Sequence, residues 1–418
     1  MPSRVALVLA DRPTGRPALV ALAAAVEASA LASEVELVLA RGAEGVARAI
    51  RSGLEQGQRV AVAWSFFSTE TEAIEGDLAA VRTAAPGALH LAGGPHASAL
   101  PEATLAFGFD LVARGEGEAT IAGALGALLD GGDPRRVPGL AWREGGAVAG
   151  SGRAAPVDLD AVPAFSRRLG KALALEVTRG CVWACRFCQT PFLHRARFRH
   201  RSIESVRAFA RFAVELGHRD LRFLTPSALS YGAERGEARL EAVEALLAAV
   251  REEIGRGRRL FFGTFPSELR PEHVSAEALA LLRRDADNRE LLIGAQSGSE
   301  RQLAAMRRGH GVDDVVRAVR LASEAGFAPS VDFVLGLPGE TEDDLAATRA
   351  LMEQLAGLGA RVHGHAFLPL PGTPWSGEAP GRVDAATAAL LDRLASRGRA
   401  YGSWRRQVAL GGALARSR

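Results

Sequence analysis

The stretch Val177–Pro191, VTRGCVWACRFCQTP, decides how this chain is read. It holds Cys181, Cys185 and Cys188, which are all 3 cysteines among 418 residues. An odd set of thiols in one short loop does not make a disulfide framework. Structural zinc usually takes four ligands, and no Cys or His pair at finger spacing completes a set here. Three thiolates suit a soft metal centre. An iron–sulfur cube has a metal corner for each cysteine and one more, which stays open to a substrate. Cys-x3-Cys-x2-Cys therefore reads as a site-differentiated [4Fe-4S] cluster. The bland alternative is three buried, inert thiols. Their grouping straight after the strand-like ALALEV (172–177) speaks against it.

Outward from this loop, apolar runs recur with helical patterns between them. LRFLTP (221–226), RLFFGTFP (259–266), ELLIGAQS (290–297), SVDFVLG (330–336) and VHGHAFLPL (362–370) read as further strands. Six strand–helix repeats predict an open, partial (β/α)6 barrel over 171–380, with its site at the strands' carboxyl ends. From 381 to 418 the pattern predicts a helical, Arg-rich C-terminal segment that caps the barrel. His363 and His365 stand two apart on a strand and share one face. If that face is the barrel interior, they can reach substrate or cofactor.

Toward the N-terminus, VALVLA (5–10), EVELVLA (34–40), VAVAWSFF (60–67), ALHLAGG (88–94) and FDLVARGEGE (109–118) alternate with helical segments. This α/β pattern predicts a doubly wound parallel-sheet, Rossmann-like domain over 1–135. A hairpin around Glu-Gly-Gly and an extended linker follow over 136–170. Ligands bind such sheets beyond the strands' carboxyl ends. The loops there are SFFST (65–69), GGPHAS (93–98) and GEGEAT (115–120).

Apolar residues make up 48% of the chain, enough for a large core, and no run is long enough to span a membrane. The N-terminus lacks a signal-peptide pattern, so a cytoplasmic protein is expected. Net charge is only +3, weak ground for a nucleic-acid partner. The Arg-rich stretch RARFRHRSIESVRAFARF (195–212) invites an RNA-binding reading, but a solvated helix face is preferred.

Cys-x3-Cys-x2-Cys with Phe187 before the last cysteine resembles the signature of radical S-adenosylmethionine (SAM) enzymes. DFVLGLPGE (332–340) resembles that family's Gly-x-Ile-x-Gly-x-x-Gly-Glu segment, with Asp332 in place of its first glycine. WSFFST, GGPHAS and GEGE resemble the strand-end loops of the class B subgroup, in which a cobalamin-binding domain precedes the radical SAM barrel. The resemblance implies that Cys181, Cys185 and Cys188 hold the cluster and that its free iron binds SAM. It implies SAM contacts at Val334, Gly336 and Glu340, at Gln296, Ser297 and Ser299, and near Thr225 and Ser227, where the family's Gly-Gly-Glu segment is replaced. Thr264, Ser267 and Glu268 form a second tier. Around a corrinoid the resemblance implies Ser65, Ser68, Thr69, Gly93, Gly94, His96, Gly115, Glu116 and Gly117. The axial-histidine motif after the first strand is missing, because Pro13 stands at the His position. That implies cobalt without a protein histidine below it.

The activity so implied is C-methylation of an unactivated carbon through a deoxyadenosyl radical and methylcobalamin. The alternatives are a cyclase or rearrangement enzyme without methyl transfer, and a non-enzymatic corrinoid sensor. The implied partners are a small-molecule or natural-product substrate and an electron donor such as flavodoxin or ferredoxin; no membrane or nucleic acid is expected. Related RNA-modifying enzymes need cysteines outside the cluster loop, and this chain has none there.

Overall fold

A computed structural model describes residues 4–416. The chain divides into two compact units, the first ending at Leu173 and the second starting at Ala174. Among the described residues no helix is long and apolar enough to cross a membrane.

The first unit is built on a seven-stranded sheet. Its strands are β1 (Val5–Asp11), β2 (Val35–Arg41), β3 (Arg59–Ser65), β4 (Leu89–Gly93), β5 (Leu111–Ala113), β6 (Leu140–Glu144) and β7 (Ala147–Gly150). The order is β2-β1-β3-β4-β5-β6-β7. The first five strands are parallel, as expected for strands joined by helical crossovers. β1 is buried at every position, because the alternation of a pleated strand sends apolar side chains to both faces. Ala6, Val8 and Ala10 join Val62, Trp64 and Ile74 on one side. Val5, Leu7 and Leu9 join Leu19, Val26 and Leu125 on the other. The hairpin extends this sheet, since β6 adds antiparallel to β5. Its turn is Gly145–Gly146, with φ of 57° and 86°, the left-handed pair that a two-residue hairpin turn requires. The helical run after β4 is broken in two, Gly94–Ala99 and Pro101–Ala106, because Pro101 has no backbone N–H to continue the ladder.

The second unit contains β8 (Leu175–Glu176), β9 (Thr178–Arg179), β10 (Arg199–His200), β11 (Asp220–Leu224), β12 (Arg259–Phe261), β13 (Glu290–Gln296), β14 (Ala328–Leu335), β15 (Arg361–Ala366) and β16 (Ala400–Tyr401). Parallel pairing gives two sheets, β8-β11-β12 and β13-β14-β15-β16. β9 and β10 form a small antiparallel pair beside the cysteine loop. Residues 263–269 bridge the two sheets: Leu292 donates its N–H to Gly263 and Leu269 donates to Leu292. Helices such as Ile203–Glu215, Leu240–Ile254 and Glu342–Gly357 connect successive strands. The expected helical tail is therefore only partly helical. Between helices Ala385–Ser396 and Trp404–Arg416 it returns as β16, which adds to the edge of β15. Gly364 makes room for the Trp404 ring, since a Cβ there would come within 3.1 Å of it. Gln407 Oε1 accepts from the Ala366 N–H at 2.8 Å. Residues 417 and 418 of the tail lie outside the described residues.

Candidate cofactor sites

The cysteine loop leaves β9 through Gly180, whose φ is +85°. A side chain there would strike the carbonyl of Arg197, so glycine is required by both conformation and space. The loop is pinned from several directions. Arg186 donates its N–H to Met306 O at 3.0 Å, and Trp375 donates to Arg186 O at 3.2 Å. Gln189 Nε2 donates to Pro371 O at 2.8 Å. Phe187 packs against an apolar cluster of Leu303, Met306, Val334, Leu337, Phe367 and Trp375. The residue before the last cysteine is thus an anchor, and it ties the loop to the ends of β14 and β15.

Burial pushes the Cys181 thiol up to about 12 and raises Cys188 as well. With no metal these thiols stay protonated; a bound cation reverses that preference, because a coordinating thiol loses its proton outright. The surroundings suit thiolates. Arg308 is buried with Nη1 3.9 Å from Cys185 Sγ. Burial works against the Arg308 charge, but Glu268 and Cys185 outweigh it and hold the guanidinium protonated. Arg308 pairs with Glu268 and donates to Gly294 O at 3.0 Å. Gly294 has no side chain for a reason: a Cβ there would collide with both members of the pair. Arg270 lies 3.6 Å over the ring of Trp183, inside the loop. Three thiols of one loop, near enough to influence one another's charge and with Arg308 beside Cys185, fit an anionic iron–sulfur cluster.

The other residues singled out in this unit fall at strand ends, with differing roles. Gln296 is buried at a bulge in β13 and has φ +74°. A left-handed non-glycine residue there is held by its surroundings, a feature that clusters at functional sites. Val334 lies in the apolar cluster with Phe187. The hydroxyls of Ser297 and Ser299 are engaged within the fold. Ser297 Oγ is 3.2 Å from Thr348 Oγ1 and accepts from the Ser299 N–H. Ser299 caps helix Glu300–Ala305 and bonds Asp344. Thr225 and Ser227 bond each other across a turn, and Ser227 Oγ is 2.9 Å from Ser230 Oγ. Gly336 (φ +66°) lets the segment at Gly381 approach, and the Gly381 N–H donates to its carbonyl at 2.9 Å. Glu340 turns back to accept from the Leu337 N–H at 2.8 Å, and burial lifts its carboxyl to about 7.

In the first unit the named loops sit at the carboxyl ends of β3, β4 and β5. His96 is buried, stacked on Phe107 at a centroid distance of 6.0 Å and tilted against Phe66 at 5.6 Å. Its Nδ1 lies 3.0 Å from Ser68 Oγ. Its Nε2 is buried without a hydrogen-bond partner among the described residues. Burial lowers the ring to about 4, so it is neutral. Gly94 (φ +90°) lies against the backbone of Phe66, where a Cβ would come within 3.0 Å. The Gly115 N–H donates to Ser98 Oγ at 3.0 Å, and Glu116 Oε2 accepts from Val157 N at 3.0 Å. Gly93, Gly117 and Ser65 line the same strand ends, and Thr69 and Phe67 are exposed there. An orphaned buried nitrogen and an exposed aromatic at the strand ends fit a bound, partly apolar ring system. Much of the glycine content serves chain packing.

Sequence reasoning missed Arg308 and Arg270. Nothing in MRRGH separates one buried arginine from 51 basic residues. Within 195–212, Arg207 and Arg211 reach Glu253 at 3.0 Å and Arg201 is buried, while Arg195 and Arg197 are exposed.

Residues 175–352 match the family model of the Radical SAM superfamily. A segment of 193 residues is 34% identical to a tRNA-2-methylthio-N(6)-dimethylallyladenosine synthase from Chlorobium phaeovibrioides, covering 45% of this chain and 41% of that protein. The chain thus spans well under half the length of this curated relative. The fold is similar to that of the radical SAM methyltransferase TsrM from Kitasatospora setae, solved with cobalamin and a [4Fe-4S] cluster bound. The TM-score is 0.70 at 18% identity, over 90% of this chain and 74% of that one. It is also similar to the cobalamin-dependent radical SAM enzyme OxsB, solved with aqua-cobalamin and S-adenosylmethionine, with a TM-score of 0.64 at 18% identity over 84% and 51% of the two chains.

Proposed function

We propose that this chain is a cobalamin-dependent radical SAM enzyme that methylates an unactivated carbon of a small molecule. The observation that carries the reading is the three-thiol loop beside buried Arg308, in the segment that matches the Radical SAM superfamily. The parallel-sheet unit ahead of it and the likeness in fold to TsrM and OxsB support the corrinoid. When bound, cluster, SAM and corrinoid together supply one-electron cleavage chemistry and a transferable methyl group. The chain's own residues hold and shape. Cys181, Cys185 and Cys188 anchor the cluster, and Arg308 balances its charge. Val334 and the apolar cluster around Phe187 offer a dry surface for the nucleoside, and Gln296 is fixed at a strand end to orient it. His96, neutral and buried with Ser68, would offer its unpartnered Nε2 to a polar group of the corrinoid, and the exposed Thr69 would offer its hydroxyl.

Sulfur insertion, the reaction named for the Chlorobium relative, is not preferred. In the related methylthiotransferases it requires a second cluster with further thiols, and all 3 cysteines of this chain are in one loop. A cytoplasmic setting and a flavodoxin- or ferredoxin-type donor complete the proposal. The test is oxygen-free turnover with SAM, a strong reductant and hydroxocobalamin, with nucleoside products quantified. Methyl transfer yields both deoxyadenosine and S-adenosylhomocysteine. Deoxyadenosine alone replaces methylation with cyclisation or rearrangement; neither product leaves the corrinoid-sensor reading.

A further inference from the structure

β14 alternates so that Ser330, Asp332 and Val334 share one face, and in the parallel register Asp332 lies beside His363, Val334 beside His365 and His363 beside Tyr401. Three ligand atoms converge there. His363 Nδ1 is 2.8 Å from Asp332 Oδ1 and 3.2 Å from His365 Nε2. His365 Nε2 is 3.9 Å from the same Asp332 oxygen.

As a hydrogen-bonded set this triangle is poorly served. A ring N–H points along one in-plane direction, so one proton on His363 Nδ1 cannot satisfy both neighbours. As a cation site it is well served. With metal–ligand bonds of about 2.1 Å, adjacent ligand atoms lie roughly 3.0–3.4 Å apart in octahedral or tetrahedral geometry. The three observed sides bracket that range. The triangle is also held in place. Tyr401 stacks on His363 at 4.2 Å with a 7° tilt, and its hydroxyl is 2.7 Å from Ser330 Oγ. Side-chain exposures of 12% for Asp332, 21% for His363 and 33% for His365 leave a route for an ion.

We propose that Asp332, His363 and His365 form a binding site for a divalent first-row metal ion of the zinc class, separate from the cysteine loop. Two imidazoles and one carboxylate suit such an ion and leave at least one coordination position open. The open position takes an oxygen donor, a carboxylate or hydroxyl of a bound small molecule. This proposal stands on the triangle alone and does not depend on the radical chemistry.

The test uses the full chain reconstituted without oxygen with iron and sulfide, so that the cysteine loop is occupied, then freed of loose metal with a chelator and titrated with zinc chloride. Bound zinc is counted, and X-ray absorption at the zinc edge reads its ligands. The site predicts one tightly held zinc per chain, with nitrogen and oxygen neighbours, imidazole scattering and no sulfur. His363→Gln, His365→Gln and Asp332→Asn each weaken binding by more than about 10-fold, the least that loss of even an outer-shell partner costs. The absorption spectrum of the unmutated chain keeps the test open if a variant fails to fold. A sulfur shell, no retained zinc, or unchanged affinity in folded H363Q and H365Q overturns the proposal.

Discussion

Arg308 shows how much one side chain can be asked to do. It is buried, pairs with Glu268, donates to the Gly294 carbonyl and approaches Cys185. Removing one partner of a buried pair leaves an uncompensated charge, which costs more than the pair contributes. Glu268→Gln should therefore destabilise the second unit by about 3 kcal/mol, read as a shift in urea unfolding without oxygen. Adding Arg308→Met to that variant should recover part of the loss, because the orphaned charge goes with it. An unchanged midpoint in E268Q would show that the pair is not stabilising. The cysteines were legible because all of them share one loop. Arg308 was not, because burial and pairing depend on residues such as Gly294 and Glu268 that are distant in sequence. Asp332 was visible as a departure from a glycine pattern. Its two histidine neighbours were visible as sharing a face. Their convergence needed the register of β14 against β15.

At the level of elements, the alternation of apolar runs marked the strands of both units. Periodicity was a good guide wherever a strand is buried on both faces, as in β1 and β14. It failed where an element is short and exists only by tertiary pairing. β16 is two residues long, with nothing in Ala400–Tyr401 to mark a strand. It forms because β15 offers an open edge and because Trp404 and Gln407 hold the tail against it. Deleting residues 399–418 should then uncover the β15 edge and the Gly364 surface. Loss of a few kcal/mol lowers Tm by more than about 5 °C, measurable by thermal unfolding followed by circular dichroism. An unchanged Tm would make the tail an appendage rather than a working fourth strand of the β13-β14-β15-β16 sheet.

At the scale of the whole molecule, the division at Leu173 separates a mostly parallel seven-stranded sheet from a unit built on two smaller parallel sheets. Each half presents its named loops at its own strands' carboxyl ends. Chemistry was more legible in the second half than in the first. Thiols have few uses in such a loop, whereas glycines and hydroxyls also serve turns and caps, as Gly94 and Ser299 do here. The proposed chemistry would need a cluster with one iron left free by Cys181, Cys185 and Cys188 to take up SAM. Electron paramagnetic resonance of the dithionite-reduced, anaerobically reconstituted chain, recorded with and without SAM, addresses that iron directly. A spin-half [4Fe-4S] signal that shifts its g values on addition of SAM is the predicted result. A cluster signal indifferent to SAM, or no cluster signal at all, would contradict it.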